Sequence, residues 1–225
     1  MESSVRSARI TGVLFLITFV TSFAALALFQ PVLDDPEGYL AGGGADGRIY
    51  LGALLELLLI VANIGTAVVP YPTLRRQNES LALGYVAARI MECAFIAVGI
   101  LAVLAVVTLR NDAGADPSSL GGYAESLAAI KDWTFLLGPG FVVGIGNGLI
   151  LGTLMYRSGL VPRSMAMLGL IGGPLIVLSG VGVLLHVFDA GSLVQGIATI
   201  PEFFWELSLG IYLTFKGFRA SPRVG

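Results

Sequence analysis

The sequence predicts an all-α integral membrane protein, built as a bundle of six transmembrane helices. The first observation is composition: of 225 residues, 56% are hydrophobic and 12% are charged, whereas soluble domains carry about 25% charged residues. The second is that the apolar residues form six stretches, each near the length of about 20 residues that crosses a bilayer. The third is that the connections are too short to bury a core of their own. We therefore expect residues 1–225 to form a single transmembrane domain.

The six predicted spans follow the apolar runs of the chain. They cover about residues 10–29, 49–69, 83–109, 133–156, 165–187 and 193–215. The first run has an alternative interpretation as a cleaved signal peptide, because Arg6 and Arg9 precede it and the small residues at 25–27 resemble a cleavage site. The run extends to Phe29, which is longer than the apolar part of a usual signal peptide. We therefore favour a retained helix.

Basic residues set the expected orientation, since cytoplasmic loops of membrane proteins carry an excess of Lys and Arg. With the N-terminus inside, nine basic residues fall on the inner side and three on the outer side. The inner group is Arg6, Arg9, Arg75, Arg76, Arg157, Arg163, Lys216, Arg219 and Arg223, and the outer group is Arg48, Arg110 and Lys131. Both termini are therefore predicted to be cytoplasmic, and the plasma membrane is the predicted location.

The second outer loop, between the third and fourth spans, has a pattern typical of a short amphipathic helix. Leu120, Tyr123, Leu127 and Ile130 recur there at three- and four-residue spacing. We expect this helix to lie on the outer membrane interface and to cover the ends of the spans, in preference to acting as a lid or a membrane sensor.

Glycine and proline residues indicate how the spans pack. The fourth span has a glycine every four residues, at Gly140, Gly144, Gly148 and Gly152, and the fifth span has the pair Gly169 and Gly173. Because small residues let two helix backbones approach closely, these two spans are predicted to cross tightly. Pro139, Pro174 and Pro201 lie inside spans, where we expect ordinary kinks in preference to the discontinuous helices of transporters.

Ionisable residues inside the spans mark the predicted functional region, because a charged side chain in hydrocarbon costs at least about 2.5 kcal/mol. The residues at this depth are Glu56, Glu92, Glu202, Glu206 and Arg89. A helical rise of about 1.5 Å per residue places them at two levels. The inner level holds Asn63, Arg89, Glu92 and Glu206, with Arg89 able to pair with both glutamates, and the outer level holds Glu56 and Glu202, with His186 and Gln195 nearby. No strong cation is expected at the outer level.

The excess of acids leaves two interpretations of the buried glutamates. Four acids against one base lead us to expect that Glu56, Glu202 or both are often neutral. Either the protonated glutamates serve only as hydrogen-bonding groups that hold helices together, or they form a proton or cation site. His186, near the outer edge of the fifth span, is expected to be an interfacial residue in preference to a proton relay.

Three segments resemble a known family. They are LGALLELLLIVAN at residues 51–63, ARIMEC at residues 88–93 and PEFFWELSLGIYLTFKGF at residues 201–218. Together with the six-span pattern, they are similar to the bacterial membrane family called domain of unknown function 4386, over nearly the whole chain. The resemblance implies a compact multi-pass membrane protein and directs attention to Glu56, Asn63, Arg89, Glu92, Pro201 and Glu206. It implies no activity.

Three classes of function follow from these observations. The favoured one is a membrane protein that binds or transports a small molecule, cation or proton, with candidate residues Glu56, Asn63, Arg89, Glu92, Glu202, Glu206 and His186. The alternative is a structural or regulatory membrane protein whose charged cluster only holds the helices together. An intramembrane enzyme is the least expected, because the chain has one histidine to offer a metal. We therefore predict no catalytic residue, metal or cofactor, and as partners the lipid bilayer and a small molecule or cation, not nucleic acid.

Overall fold

A computed structural model describes residues 2–112 and 117–219, and every regular element in them is a helix. The helices are α1 (Glu2–Asp34), α2 (Pro36–Leu40), α3 (Asp46–Val68), α4 (Tyr71–Leu74), α5 (Glu79–Asp112), α6 (Gly121–Phe135), α7 (Gly152–Ser158), α8 (Arg163–Leu184) and α9 (Leu193–Lys216). A 3₁₀ turn, Pro117–Leu120, precedes α6, and two π-helical segments, Leu136–Val142 and Gly144–Leu151, connect α6 to α7. The all-α prediction is confirmed for the described residues. Arg223, predicted to lie on the inner side, is outside them.

Five helical segments are long and apolar enough to cross a membrane, which indicates a membrane protein. They are Val5–Asp34, Asp46–Leu74, Glu79–Asp112, Gly121–Ser158 and Arg163–Leu184, and they match the first five predicted spans. The last helix, α9, is long enough with 24 residues, but Glu202 and Glu206 lower the hydropathy of its middle. The sixth span therefore stays a prediction.

The long helical segments pack as a closed ring in chain order. Helix α1 packs on α3, α3 on α5, and α5 on the segment that runs from α6 through the π-helical turns to α7; this segment packs on α8, α8 on α9, and α9 on α1. Gly217, just after α9, lies beside Val5 and Ala8 of α1. Both ends of the described chain therefore lie at one end of the ring, which we call the inner end; the opposite end is the outer end. Which side of the membrane each faces stays a prediction.

The two ends of the ring are packed differently. At the inner end, a buried apolar cluster takes side chains from all six long segments, among them Phe15, Ala67, Tyr85, Leu154, Ala166 and Trp205. At the outer end, the buried cluster draws on α1, α2, α3, α5 and α6 only, with Phe29, Tyr39, Ile49, Val103 and Ala124 among its members. The inner end is thus closed by a continuous core, whereas the core of the outer end leaves the side of α8 and α9 unfilled.

A polar cluster ties the outer connections together. The Tyr39 hydroxyl donates to Asp46 Oδ1 at 2.6 Å, and Arg110 Nη1 lies 2.8 Å from the same oxygen. The Arg110 guanidinium also stacks over the Tyr39 ring at 4.5 Å. Burial, together with the hydrogen bond to Asp46, raises the pKa of Tyr39 to about 12. The short helix α2 is thereby fixed to the beginning of α3 and the end of α5.

The predicted amphipathic helix of the second outer loop is not seen as a separate element. Helix α6 continues through the π-helical turns into α7, so this region extends the fourth span. Its buried face is made of small residues and Lys131, while Tyr123 and Ile130 are 66% and 42% exposed. Helix α6 packs closely on α5 because its buried face is made of small side chains such as Ala128, and because Lys131 forms a buried ion pair.

The predicted tight crossing of the fourth and fifth spans is confirmed. A Cβ atom added to Gly144 would lie 2.8 Å from the Gly173 carbonyl oxygen, and one added to Gly148 would lie 2.8 Å from the Gly173 nitrogen. The backbones therefore touch where no side chain intervenes. Helices α8 and α9 continue through Pro174 and Pro201, whereas Pro139 lies in the first π-helical segment.

Candidate functional site

The inner-level residues form one hydrogen-bonded network between α3 and α5. Arg89 and Glu92 lie on one face of α5, three residues apart, with Nη1 and Oε2 separated by 2.6 Å. Asn63 Nδ2 donates to Glu92 Oε1 at 2.9 Å, and Arg89 Nε donates to Thr66 Oγ1 at 3.2 Å. Sequence analysis did not identify Thr66, although its spacing of three residues from Asn63 puts it near the same face. The network fixes the Arg89 side chain on the ring interior.

Glu206 joins this network from α9. Arg89 Nη2 lies 4.0 Å from Glu206 Oε1, and Asn147 Nδ2 donates to the same oxygen. The Asn147 carbonyl in turn accepts a hydrogen bond of 3.0 Å from Trp205 Nε1. Asn147, in the second π-helical segment, was not among the predicted residues. Its position as an amide within the glycine-rich fourth span is the sequence signal that could have identified it.

Glu56 is paired with Lys131, which corrects the assignment of Lys131 to an outer loop. The Lys131 side chain is 4% exposed, and its Nζ lies 2.6 Å and 2.7 Å from the two Glu56 carboxylate oxygens. The ammonium also lies 5.0 Å from the centre of the Phe29 ring. The expectation that no strong cation stands near Glu56 is therefore wrong, because Lys131 is two residues before the apolar run yet points into the ring.

Glu202 is buried without a partner. It is 2% exposed, and neither carboxylate oxygen has a hydrogen-bond partner. The carboxylate lies in space left by two glycines, since a Cβ added to Gly148 or to Gly172 would be 2.8 Å from Glu202 Oε2. Among the buried side-chain polar atoms of the described residues, one further atom lacks a partner, Asn147 Oδ1. All three unpartnered atoms are hydrogen-bond acceptors.

A small chamber inside the ring has Glu202 in its lining. Its volume is about 140 Å³, and we call it the inner chamber. Its polar lining consists of Thr18, Ser22, Asn63, Arg89, Glu92, Thr199, Glu202 and Glu206, and its apolar lining of Phe19, Phe23, Leu59, Ile96, Phe135, Pro139, Val143, Ile176 and Phe203. Every long segment of the ring contributes to it. The chamber is thus central, not a cleft between two neighbouring helices.

A larger space, the outer cavity, adjoins the inner chamber on its outer side. Its volume is about 740 Å³, and its lining extends to the α8–α9 connection. The lining is Phe23, Asp132, Phe135, Leu136, Pro139, Gly140, Ile176, Ala190, Gly191, Gln195, Gly196, Thr199, Ile200 and Phe203. Six of these also line the inner chamber: Phe23, Phe135, Pro139, Ile176, Thr199 and Phe203. The two spaces therefore meet at an aromatic constriction, where the Phe23 and Phe203 rings lie edge to face at 6.1 Å.

The structure does not divide the site residues into the predicted inner and outer levels. Asn63, Arg89, Glu92, Glu202 and Glu206 share the inner chamber, so Glu202 belongs with the inner-level residues. Glu56 is paired with Lys131 beside the chamber. His186 is exposed in the turn that follows α8, with a φ of 55°, and lines neither space. Gln195 lines the outer cavity.

The charges of the inner chamber favour a positive ligand. Three carboxyl groups face one guanidinium, and that guanidinium is engaged by Glu92 and Glu206. An anionic ligand would find no free cation in this lining, and in a low-dielectric site that mismatch is costly. The chamber is therefore lined by more carboxyl groups than bases, and its unpartnered Glu202 oxygens can accept hydrogen bonds.

Comparison with known proteins identifies a family and no characterised relative. No curated protein and no solved structure matches the chain. The family model described as domain of unknown function (DUF4386) matches residues 10–217. That match includes every residue that lines the inner chamber. The chain therefore belongs to the DUF4386 family.

Proposed function

We propose that this protein is a six-span protein of the plasma membrane that binds a small molecule in its central cavity, with Glu202 as the anchoring group. The observation that carries the proposal is that Glu202 is buried and unpartnered and belongs to the lining of the inner chamber. Removing a charge from water without a partner costs several kcal/mol. A purely structural glutamate would be expected to have a hydrogen-bond partner, as Glu56 and Glu92 do.

The two faces of α9 support a sixth span. Glu202, Trp205 and Leu209 are buried in the ring, whereas Ile197 and Phe204 are exposed on the opposite face. An apolar outer face with polar groups turned inward is the arrangement expected of a membrane helix whose ionisable residues serve a cavity. Because α9 also packs on both α8 and α1, it closes the ring.

The shape of the cavity supports binding from the outer end. A volume of about 740 Å³ for the outer cavity lies within the range of about 300–1,000 Å³ that is typical of small-molecule sites. The inner end is closed by the buried cluster around Tyr85 and Trp205. With the inner end predicted to be cytoplasmic, a ligand would reach Glu202 from outside the cell. Transport would in addition require a second arrangement that opens the inner end.

The alternative of a purely structural role is supported by other residues of the cluster. Asn63, Arg89 and Glu92 satisfy one another, and Glu56 is satisfied by Lys131. These contacts hold α3, α5 and α6 together, as the structural interpretation requires. That interpretation leaves Glu202 and the adjoining cavity without a role.

A ligand screen with a matched pair of glycine variants tests the proposal. Gly196 lines the outer cavity, and a Cβ added there would meet no neighbouring element within 4 Å; Gly47 has equally open space but does not line the cavity. The protein in lipid nanodiscs would be screened by thermal unfolding against small cationic, neutral and anionic compounds. We expect compounds that raise the Tm of wild type and Gly47→Leu but not of Gly196→Leu.

The same screen can refute the proposal. If no compound raises the Tm of wild type, or if every stabilising compound acts equally on Gly196→Leu, the cavity is not a binding site. Stabilising compounds would then be tested for flux in proteoliposomes, because uptake that depends on the protein would identify transport and its absence would leave binding as the activity.

A further inference from the structure

We infer that the ligand of the central cavity is an organic amine, with its ammonium group at Glu202 and its apolar body in the outer cavity. This inference rests on the proposed function and specifies its ligand class. Three features of the cavity support it: the unpartnered acceptors of Glu202, the charged groups of the lining, and the division of the cavity into a polar and an apolar part.

The unpartnered groups of the inner chamber need hydrogen-bond donors. The unpartnered side-chain atoms in its lining are both carboxylate oxygens of Glu202, which are acceptors. A protonated primary amine carries three N–H donors and no acceptor. It therefore supplies the kind of group that the Glu202 carboxylate lacks.

The charge of the lining selects a cation over a neutral donor. Arg89 is engaged by Glu92 at 2.6 Å and by Glu206 at 4.0 Å, so the carboxyl group of Glu202 is the acid without a compensating base. A hydroxyl group would supply one hydrogen bond and no charge. Charge-assisted hydrogen bonds are roughly twice as strong as neutral ones, which favours the ammonium. An amino acid is disfavoured, since its carboxylate would need a second, free cation.

The outer cavity favours a ligand with an apolar body. Most of its lining is apolar, and the constriction that leads to Glu202 is formed by the aromatic residues Phe23, Phe135 and Phe203. Such a path is unfavourable for a small, strongly hydrated inorganic cation. An ammonium carried by an apolar group gains from contact with the aromatic faces. The chamber of about 140 Å³ has room for the ammonium and a few adjoining atoms, whereas the outer cavity of about 740 Å³ has room for the rest.

A matched pair of probes tests the inference: 1-adamantylamine and 1-adamantanol, which differ in the group that would face Glu202. Binding would be measured by calorimetry on the protein in nanodiscs, with empty nanodiscs as the blank for partition into lipid. For wild type we expect a Kd for the amine at least about tenfold lower than for the alcohol, equivalent to about 1.4 kcal/mol. Glu202→Gln should remove this preference while still binding the alcohol, and Gly196→Leu should weaken both probes while Gly47→Leu weakens neither.

The outcomes separate this inference from the proposed function. If the alcohol binds as tightly as the amine in wild type, or if Glu202→Gln keeps the preference, the amine inference is overturned; loss of binding in Gly196→Leu would still support a cavity site. If neither probe binds and the screen finds no other ligand, both the amine inference and the proposed function are overturned. Binding of the alcohol by Glu202→Gln shows that this variant is folded. If this variant does not fold, the ratio of the two Kd values in wild type alone decides whether the amine inference holds.

Discussion

Removal of the Lys131 ammonium is expected to be the most destabilising change outside the central chamber. The residue is 4% exposed, and its Nζ lies 2.6 Å and 2.7 Å from the Glu56 oxygens. At an effective dielectric constant of about 20, unit charges at this distance attract by about 6 kcal/mol. Part of that energy offsets the desolvation of both groups, and loss of one partner of a buried pair costs about 3–5 kcal/mol. We therefore expect Lys131→Met to lower the free energy of unfolding by about 3–5 kcal/mol.

A double-mutant cycle gives the assay. Glu56→Leu combined with Lys131→Met removes both charges and should restore most of the loss, giving a coupling energy of at least about 2 kcal/mol. Unfolding in mixed micelles can be followed by tryptophan fluorescence, because Trp205 is buried at the inner end and becomes exposed on unfolding. Lys216→Met, at an exposed lysine near the end of α9, is the control and should change stability by less than about 1 kcal/mol.

The reasoning about this ion pair would be refuted by either of two results. One is a decrease in the free energy of unfolding for Lys131→Met that is no larger than the decrease for the Lys216→Met control. The other is a double variant whose decrease in the free energy of unfolding equals the sum of the decreases of the two single variants. Such additivity would mean that the two side chains do not interact in the folded protein.

Three further predictions concern the glycine crossing, the outer polar cluster and the cavity. Gly148→Ala should lower the free energy of unfolding by about 1–3 kcal/mol, measured by denaturant titration, because the new Cβ would overlap the backbone of α8 and the carboxylate of Glu202. Wild type should lose stability relative to Tyr39→Phe as the pH rises from its ordinary pKa of about 10 to about 12, because the unfolded phenol loses its proton in this range and the folded one keeps it. Thr199→Cys, which replaces a residue that lines both spaces, should react in intact cells with a membrane-impermeant thiol reagent.

Each of these predictions has a control and an opposing result. Gly84→Ala should be nearly neutral, because its added Cβ would meet only Ile150 at an ordinary 3.5 Å; equal losses at both glycines would contradict the packing argument. A stability difference between Tyr39→Phe and wild type that is the same at every pH would contradict the raised pKa. In the labelling experiment, Ser179→Cys on the buried face of α8 should stay unreactive, and equal reactivity of the two cysteines would contradict an open outer cavity.

The sequence predicted the helices and part of the charged cluster because both depend on local patterns. The pairing of Arg89 with Glu92 follows from three-residue spacing on one helix, and the glycine spacing predicted the crossing of two spans. Lys131 was misplaced because depth was assigned from hydropathy, and the residue lies just before an apolar run. Its true depth is set by the buried Glu56 and by the small residues that bring α6 against α5.

The cavity and the π-helical turns lay beyond the reach of sequence patterns. A π-helical turn differs from an α-helical one by a single residue in hydrogen-bond register, and nothing in the composition of the fourth span specifies that register. Asn147 was overlooked because the analysis of buried polar groups began from charge, yet its amide and carbonyl connect Glu206 and Trp205. The inner chamber depends on how six helical segments close into a ring, which is a property of tertiary packing.

The closed inner end makes the central cavity a dead end, and this determines what any ligand can experience there. A molecule that arrives at Glu202 must leave by the path it took, as long as the cluster of Phe15, Tyr85, Trp205 and their neighbours stays packed. Under the proposed function, occupancy would depend only on the ligand concentration at the outer end, so the protein in this conformation would respond to a single compartment. Movement of a ligand across the membrane would first require the separation of buried apolar surface at about 25 cal/mol for each Å² exposed. The packing of that inner core therefore sets the free-energy cost of opening the inner end, which a carrier would have to meet and a binding protein would not.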